Sequence, residues 1–366
     1  MVNKTLIILC ALIVSIGSSQ IAISQTTVNP DISFIGDSRA IIENGLPAEI
    51  GEDGLRMEFD ELEIAATGYL NPYSRADVFL GIHGTEGIEI EEASATLLRG
   101  LPLNLQIEAG QYLVDFGKIN TQHDHQWSWM GMPLMHSLYF GDDGLKDVGV
   151  NISTFRPIGN NALTVSGNLL QGDFFGGHHE HGATEPTEEE PDFDPGGSGR
   201  LSLFMPFGDF TTCEAGLSGL YGQHDPDENR WTTMGGFDLK FKWRPDMYRS
   251  LAIVAEGLIG SRDVDIDTLA GILDDHNSSF GYFASVDCQF RRRYNIGAFI
   301  DFGQEPDISE DDHSAFGLFA GFSLAEETYR IGLLLRQDDG ADFDGPYQTG
   351  ILQFLWSLGP HKPHIY

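Results

Sequence analysis

Two stretches of this chain gather residues whose types and spacing could hold a cation. The first, 115–146, carries Lys118, then His123-Asp124-His125-Gln126-Trp127-Ser128-Trp129, then His136 and Asp142-Asp143. Imidazole suits zinc, copper and nickel, so His123, His125 and His136 are candidate donors for such a metal or for a polar substrate. The same histidines suit loop packing, each hydrogen-bonded to a neighbour, and both readings stand. The second stretch is His178-His179-Glu180-His181, followed by Glu185, Glu188-Glu189-Glu190, Asp192 and Asp194 among Gly and Pro. With so little apolar content it reads either as a solvated acidic loop or as a surface that captures a divalent metal such as zinc loosely. It lacks the fixed ligand spacing of a structural zinc site.

Catalytic chemistry finds no support. A nucleophile needs an activating base. No G-x-S-x-G motif is present, no serine sits in a recognisable catalytic setting, and His83 stands alone near a strand end. The expectation is a non-enzyme with no catalytic residue and no cofactor, loosely held zinc apart.

The ends of the chain bear on where such residues would act. Lys4, an apolar core over 6–16 and the small-x-small run Ala22-Ile23-Ser24 predict an export signal over 1–24, with 25–366 as one mature domain. The apolar core is shorter than the roughly 20 residues of a spanning helix. The net charge of −34 argues against nucleic acid as a partner. Cys213 and Cys288 each fall in the apolar phase of a predicted strand and read as small outward-facing residues, not as a disulfide or metal pair.

The elements that must position these groups announce themselves by period. In Tyr294-Asn295-Ile296-Gly297-Ala298-Phe299-Ile300-Asp301-Phe302 one phase is Tyr, Ile, Ala, Ile, Phe, and the other is largely polar. Successive strand residues face opposite ways, so such segments have one apolar and one polar face. The pattern recurs with Phe237, Leu239, Phe241 and Trp243 against Asp238, Lys240, Lys242 and Arg244. It recurs again with Tyr329, Ile331, Leu333 and Leu335 against Arg330 and Arg336, and with Ala76, Val78, Leu80 and Ile82 against Arg75 and Asp77. Short links such as Asn71-Pro72, Arg244-Pro245-Asp246 and Ala325-Glu326-Glu327 alternate with long acidic ones, among them 115–146, 171–199 and 261–278. That alternation is the mark of an all-β, transmembrane, antiparallel up-and-down barrel with short periplasmic turns and long extracellular loops. Strands counted from Leu55 onward number about 15, and a first strand near 32–42 makes 16, with 14 as the alternative. A barrel of about 16 strands leaves an aqueous lumen. Arg75, Asp77, Lys118, Asp238, Lys240, Lys242, Arg330 and Arg336 are the expected lumen charges. Trp127, Trp129, Met130, Met132, Met135 and Leu138 would be ill placed in water, so the 115–146 loop is expected to fold inward as a constriction.

The segment Asn29-Pro30-Asp31-Ile32-Ser33-Phe34-Ile35-Gly36-Asp37 resembles the NPDIS-x-IGD opening of a bacterial family of porin-like outer-membrane proteins. Asn71-Pro72-Tyr73-Ser74-Arg75-Ala76-Asp77, Glu89-Ile90-Glu91-Glu92-Ala93, Phe116-Gly117-Lys118 with His123-x-His125-x-Trp127, and Asp142-Asp143-Gly144-Leu145 with Asp147-x-Gly149-Val150 are similar to it as well. Over roughly the first 150 residues the resemblance implies an outer-membrane protein. Members are labelled hypothetical or zinc-regulated TonB-dependent receptor-like. The chain lacks the plug domain and the length of a TonB-dependent receptor, so the resemblance does not extend to energy-coupled uptake.

Together these readings predict a porin-like channel in the outer membrane of a Gram-negative-type bacterium. It would pass small hydrophilic solutes or ions with mild cation preference, contact outer-membrane lipid, and form a homotrimer by analogy with porins of this size. The alternatives are a zinc-type binding or uptake protein using His123, His125, His136, His178, His179 and His181, and a structural barrel with a blocked lumen.

Overall fold

The computed structural model describes residues 30–360 apart from 46–52, 85–86, 173–194, 226–228, 269–270, 308–310, 325–327 and 341–344, and the side chains of 265–268 and 271–275 are not described. The export segment 1–24, His178, His179, His181 and the turn at Ala325-Glu326-Glu327 lie outside the described residues. No described helix is long and apolar enough to cross a membrane. The crossing elements are strands.

Sixteen strands close into one antiparallel barrel in sequence order, β1 pairing with both β2 and β16. They are β1 (Asp31–Asn44), β2 (Gly54–Asn71), β3 (Ser74–His83), β4 (Gly87–Leu97), β5 (Leu105–Leu113), β6 (Lys146–Ile158), β7 (Asn161–Leu170) and β8 (Gly196–Phe207), followed by β9 (Thr211–Asp225), β10 (Arg230–Asp246), β11 (Arg249–Thr268), β12 (Gly271–Phe290), β13 (Tyr294–Gln304), β14 (Asp312–Ser323), β15 (Tyr329–Gly340) and β16 (Tyr347–Leu358). Closure leaves no unpaired sheet edge, the condition for strands to cross hydrocarbon.

The two-residue period decides which way each side chain points. On β10, Phe237 is 56% and Leu239 39% exposed, while Asp238 between them is 2% exposed. The exposed residues form the outer apolar wall and the buried ones line the interior. Tyr69, Tyr73, Trp243, Tyr248, Tyr294 and Tyr329 are exposed around the short-turn end, the place of an interfacial aromatic girdle. Among the described residues, Cys213 and Cys288 are free, Cys288 exposed and Cys213 partly so. The short turns are tied locally: Asn71 Oδ1 accepts the amides of Tyr73 (2.8 Å) and Ser74 (3.1 Å), and Asp246 Oδ1 those of Tyr248 (2.8 Å) and Arg249 (2.9 Å).

One link differs from expectation. Residues 261–278 are not a loop. β11 and β12 stay paired up to Thr268 opposite Gly271, a hairpin projecting well past its neighbours. The run Val264-Asp265-Ile266-Asp267 keeps the alternating period, so nothing in it breaks the ladder.

Candidate functional site

Residues 114–145, between β5 and β6, run into the barrel. The neck is held by Asn120, which is 1% exposed. Its Nδ2 donates to the carbonyls of Val114 (2.7 Å) and Leu145 (2.9 Å), and its Oδ1 accepts the Leu145 amide at 2.7 Å. Beyond the neck come a 3₁₀ turn at Asp124–Gln126 and one short helix, α1 (Leu134–Phe140). Trp127, Trp129, Met130, Met135, Tyr139 and Phe140 are buried against inward side chains of the wall, among them Leu258, Phe283, Phe299 and Leu334. The apolar content that suited no exposed loop is thus packed in a core inside the barrel.

Polar contacts fix this link around the circumference. Asp115 accepts from Ser166 and, at 2.9 Å, from Asn168 on β7. Arg200 on β8 donates to the Gly117 carbonyl and pairs with Asp238 on β10 at 2.7 Å. Lys118 Nζ reaches Glu214 on β9 at 2.9 Å. Glu256 on β11 accepts the amides of Lys118 and Ile119 and lies 3.0 Å from His136 Nε2. Ser128 donates to Asp287 on β12 and the Leu134 amide to Asp301 on β13, at 2.8 and 2.7 Å. A buried amide or ring nitrogen needs such an acceptor, and the wall supplies one at each step.

The opposite side of the link meets a dense acidic group. His123 Nδ1 lies 2.9 Å from Glu91 Oε2 and 3.3 Å from Glu63 Oε2, and its Nε2 lies 2.9 Å from Glu92 Oε1. His125 Nδ1 is 3.3 Å from the same Glu63 oxygen, and the two imidazoles stack at 5.9 Å. Phe79 stacks on His123 at 4.6 Å. Neighbouring residues on a regular strand cannot both face inward. Here the β3–β4 register slips between Phe79/Leu80, pairing Phe79 with Glu92 and Leu80 with Ile90, so Glu91 is the extra residue of a bulge. A second bulge, between Asp37/Ser38, makes Asp60 the extra residue on β2 beside Glu61. Arg39 takes up Asp37 and Asp60, both at 2.8 Å. Burial opposes charge on the His123 ring, yet the Glu91 and Glu92 carboxylates hold its pKa well above the usual histidine value. Burial pushes Asp124 up to about 7, against the pull of Arg39.

The link divides the interior. Towards the short turns lies a cavity of about 340 Å³ lined by Lys240, Lys242, Arg292, Arg293, Arg330 and Asp287 among others. Beside it, one of about 200 Å³ is lined by Glu63, Glu92, His123 and His125. Across His123, towards the long links, a smaller one of about 60 Å³ is lined by Glu61, His83, Glu91, Asp124 and Asp142.

The expected site residues among the described ones fall as follows. Arg75 pairs with Asp77 at 2.7 Å and Arg336 with Asp338 at 2.6 Å, each two residues along one face. Asp238 belongs to the Arg200 pair, Lys118 sits in the link, and Lys240, Lys242 and Arg330 border the large cavity. The three link histidines do not converge. His123 and His125 adjoin, whereas His136 is held by Glu256, and no donor group among the described residues joins all three. The reason is the path of the chain: Trp127 through Leu134 crosses the lumen between them. Reading the sequence missed Glu61, Glu63, Glu91, Glu92 and Glu256. The run Glu89-Ile90-Glu91-Glu92 held the signal, since adjacent acids break the strand period.

Salmonella typhi OmpF, solved in complex with daunomycin, superposes with a TM-score of 0.55 at 11% identity, over 90% of this chain and 98% of its own. The outer membrane channel DcaP of Acinetobacter baumannii gives 0.54 at 11% identity, over 91% and 99%. This chain has the fold of these outer-membrane barrels. A loop-deletion mutant of OmpT, an outer membrane protein of Vibrio cholerae, gives 0.53 at 9% identity over 90% and 100%. No family model matches the sequence. An uncharacterised protein of Aquifex aeolicus (strain VF5) is 26% identical over 95% of this chain and 82% of its own length.

Proposed function

We propose that this chain is a porin-like channel of the outer membrane, exported by residues 1–24, through which small hydrophilic solutes or ions diffuse passively. The observation that carries the reading is the link 114–145, held inside a closed 16-stranded barrel by polar wall groups with charged cavities on both of its sides. A barrel of this strand number encloses water unless something fills it, and an inner link sets the bore. The acidic long links raise cation concentration at their mouth, which supports mild cation preference. Planar-bilayer recording of the refolded protein tests this: discrete open steps are expected, with a reversal potential of cationic sign in a salt gradient. Assembly as a homotrimer belongs to the same reading and is checked by native mass in detergent.

A second reading, a structural barrel with a blocked lumen, is favoured by one observation. The apolar cluster from Trp127 to Phe140 packs against wall residues from β11 to β15. Silence of correctly folded protein in bilayers, with steps appearing only when the link is shortened, would select it.

A further inference from the structure

We propose that Glu63, Glu91 and His123 form a site for a first-row transition-metal dication of the zinc type, with Glu61 and His83 at its long-link side. This donor set differs from the His123, His125 and His136 set read from the sequence, and it does not require that the barrel conduct.

Spacing is the first argument. The candidate donor atoms of Glu63, Glu91 and His123 all lie within 4.8 Å of one another, and so do those of Glu61, His83 and Glu91. His123 Nδ1 lies 2.9 Å from Glu91 Oε2 and 3.3 Å from Glu63 Oε2. Ligands about 2.0–2.1 Å from a tetrahedral zinc stand roughly 3.3 Å apart. Mixed imidazole and carboxylate donors suit such ions better than magnesium or calcium, which take oxygen.

The second argument is the far side of the ring. Glu92 Oε1 faces Nε2 at 2.9 Å. An imidazole that gives its Nε2 proton to a carboxylate turns the Nδ1 lone pair towards Glu63 and Glu91, and this carboxylate–histidine arrangement is the usual support of a metal-bound histidine.

The third argument is independent of His123. The ligand oxygens of Glu61 and Glu91 lie within 4.8 Å of one another and of a His83 ring nitrogen, a contact between carboxylates that a cation between them relieves. The bulge at Glu91 creates that contact, and Gly81 makes room for it, since a Cβ there would stand 2.8 Å from His83 Nε2. A cavity on each side of His123 gives an ion a path in.

The test is zinc titration by calorimetry on full-length refolded protein in detergent, with magnesium as comparator. A His178→Ala/His179→Ala/His181→Ala background removes the other histidine cluster. One zinc per barrel is expected in that background, with no magnesium heat. Glu91→Gln and His123→Asn should each weaken zinc at least tenfold, and Glu92→Gln 10–100-fold. Gly81→Ala, which alters no donor, should weaken it too, and far-ultraviolet circular dichroism reports that each variant is folded. Zinc heat that vanishes in the triple-alanine background, or persists undiminished in folded Glu91→Gln and Gly81→Ala, would overturn the proposal.

Discussion

His136 and Glu256 form the joint that seats the inner link. Nε2 of His136 lies 3.0 Å from Oε2 of Glu256, while the other oxygen of that carboxylate accepts the amides of Lys118 and Ile119. One glutamate of β11 thus holds the start of the link and its helix together. Glu256→Ala strands the buried His136 ring nitrogen and two amides, and each buried group left without its partner costs about 1–3 kcal/mol. The thermal midpoint in detergent should fall and link proteolysis should rise, with Glu256→Gln milder than Ala. An unchanged midpoint would show that the joint is not structural.

α1 lies close against the wall because three strands offer glycine beneath it. A Cβ on Gly281 would stand 2.6 Å from Met135 Cβ, one on Gly260 2.7 Å from Tyr139, and one on Gly303 2.6 Å from Leu138. Gly281→Ala should therefore displace the helix at a cost of about 1–3 kcal/mol. Gly235→Ala, whose Cβ would meet Ile259 at an ordinary 3.7 Å, serves as the control. Equal destabilisation of the two variants would refute close seating of the helix.

Alkaline pH should loosen the link. The folded pKa of His123 lies well above its unfolded value, so its contribution is complete below about 6.5 and is lost as pH rises through the folded value. Asp124, raised from 3.8 to about 7, acts in the same direction: its contribution is complete below the unfolded value and is lost as pH rises to the folded value of about 7. Amide exchange of residues 118–130, corrected for its intrinsic pH dependence, should be faster at pH 9 than at pH 6. Equal protection at both pH values would remove this account.

The two sides of the link differ in charge, with Lys240, Lys242 and Arg330 on one side and Glu61, Glu91 and Asp142 on the other. A pore with ends of opposite sign passes unequal currents at opposite voltages. Lys240→Gln combined with Lys242→Gln should lower the ratio of the two currents. Ohmic current in the unmodified protein would contradict it.

Shortening residues 121–140 to a Gly-Ser link should increase single-channel conductance severalfold, because the packed cluster of Trp127, Trp129 and Met135 leaves with it. No change would place the narrowing elsewhere.

Much of this was legible in the sequence because strand facing is a local property. The phase of Phe237, Asp238 and Leu239 told inside from outside before any pairing was known, and the Trp127–Trp129 run marked the link that could not stay in water. The partners were not legible. His123 finds Glu63 and Glu91 on β2 and β4, whereas His136 finds Glu256 on β11, and only the closed ring sets those distances. The bulges that turn Asp60 and Glu91 inward break the two-residue rule by which the other strands were read.

The seam between β1 and β16, with Gln353 donating to Asp37 at 2.7 Å, implies an order of assembly. The inner link emerges after β5, yet most of its anchors lie on β7 to β13, and the ring cannot shut until the last strand arrives. Such non-local pairing is slow. A chain still lacking β16 presents two open sheet edges, each a template for another chain. The 12 residues of β16 therefore decide whether a nascent barrel finishes alone or joins its neighbours in an aggregate.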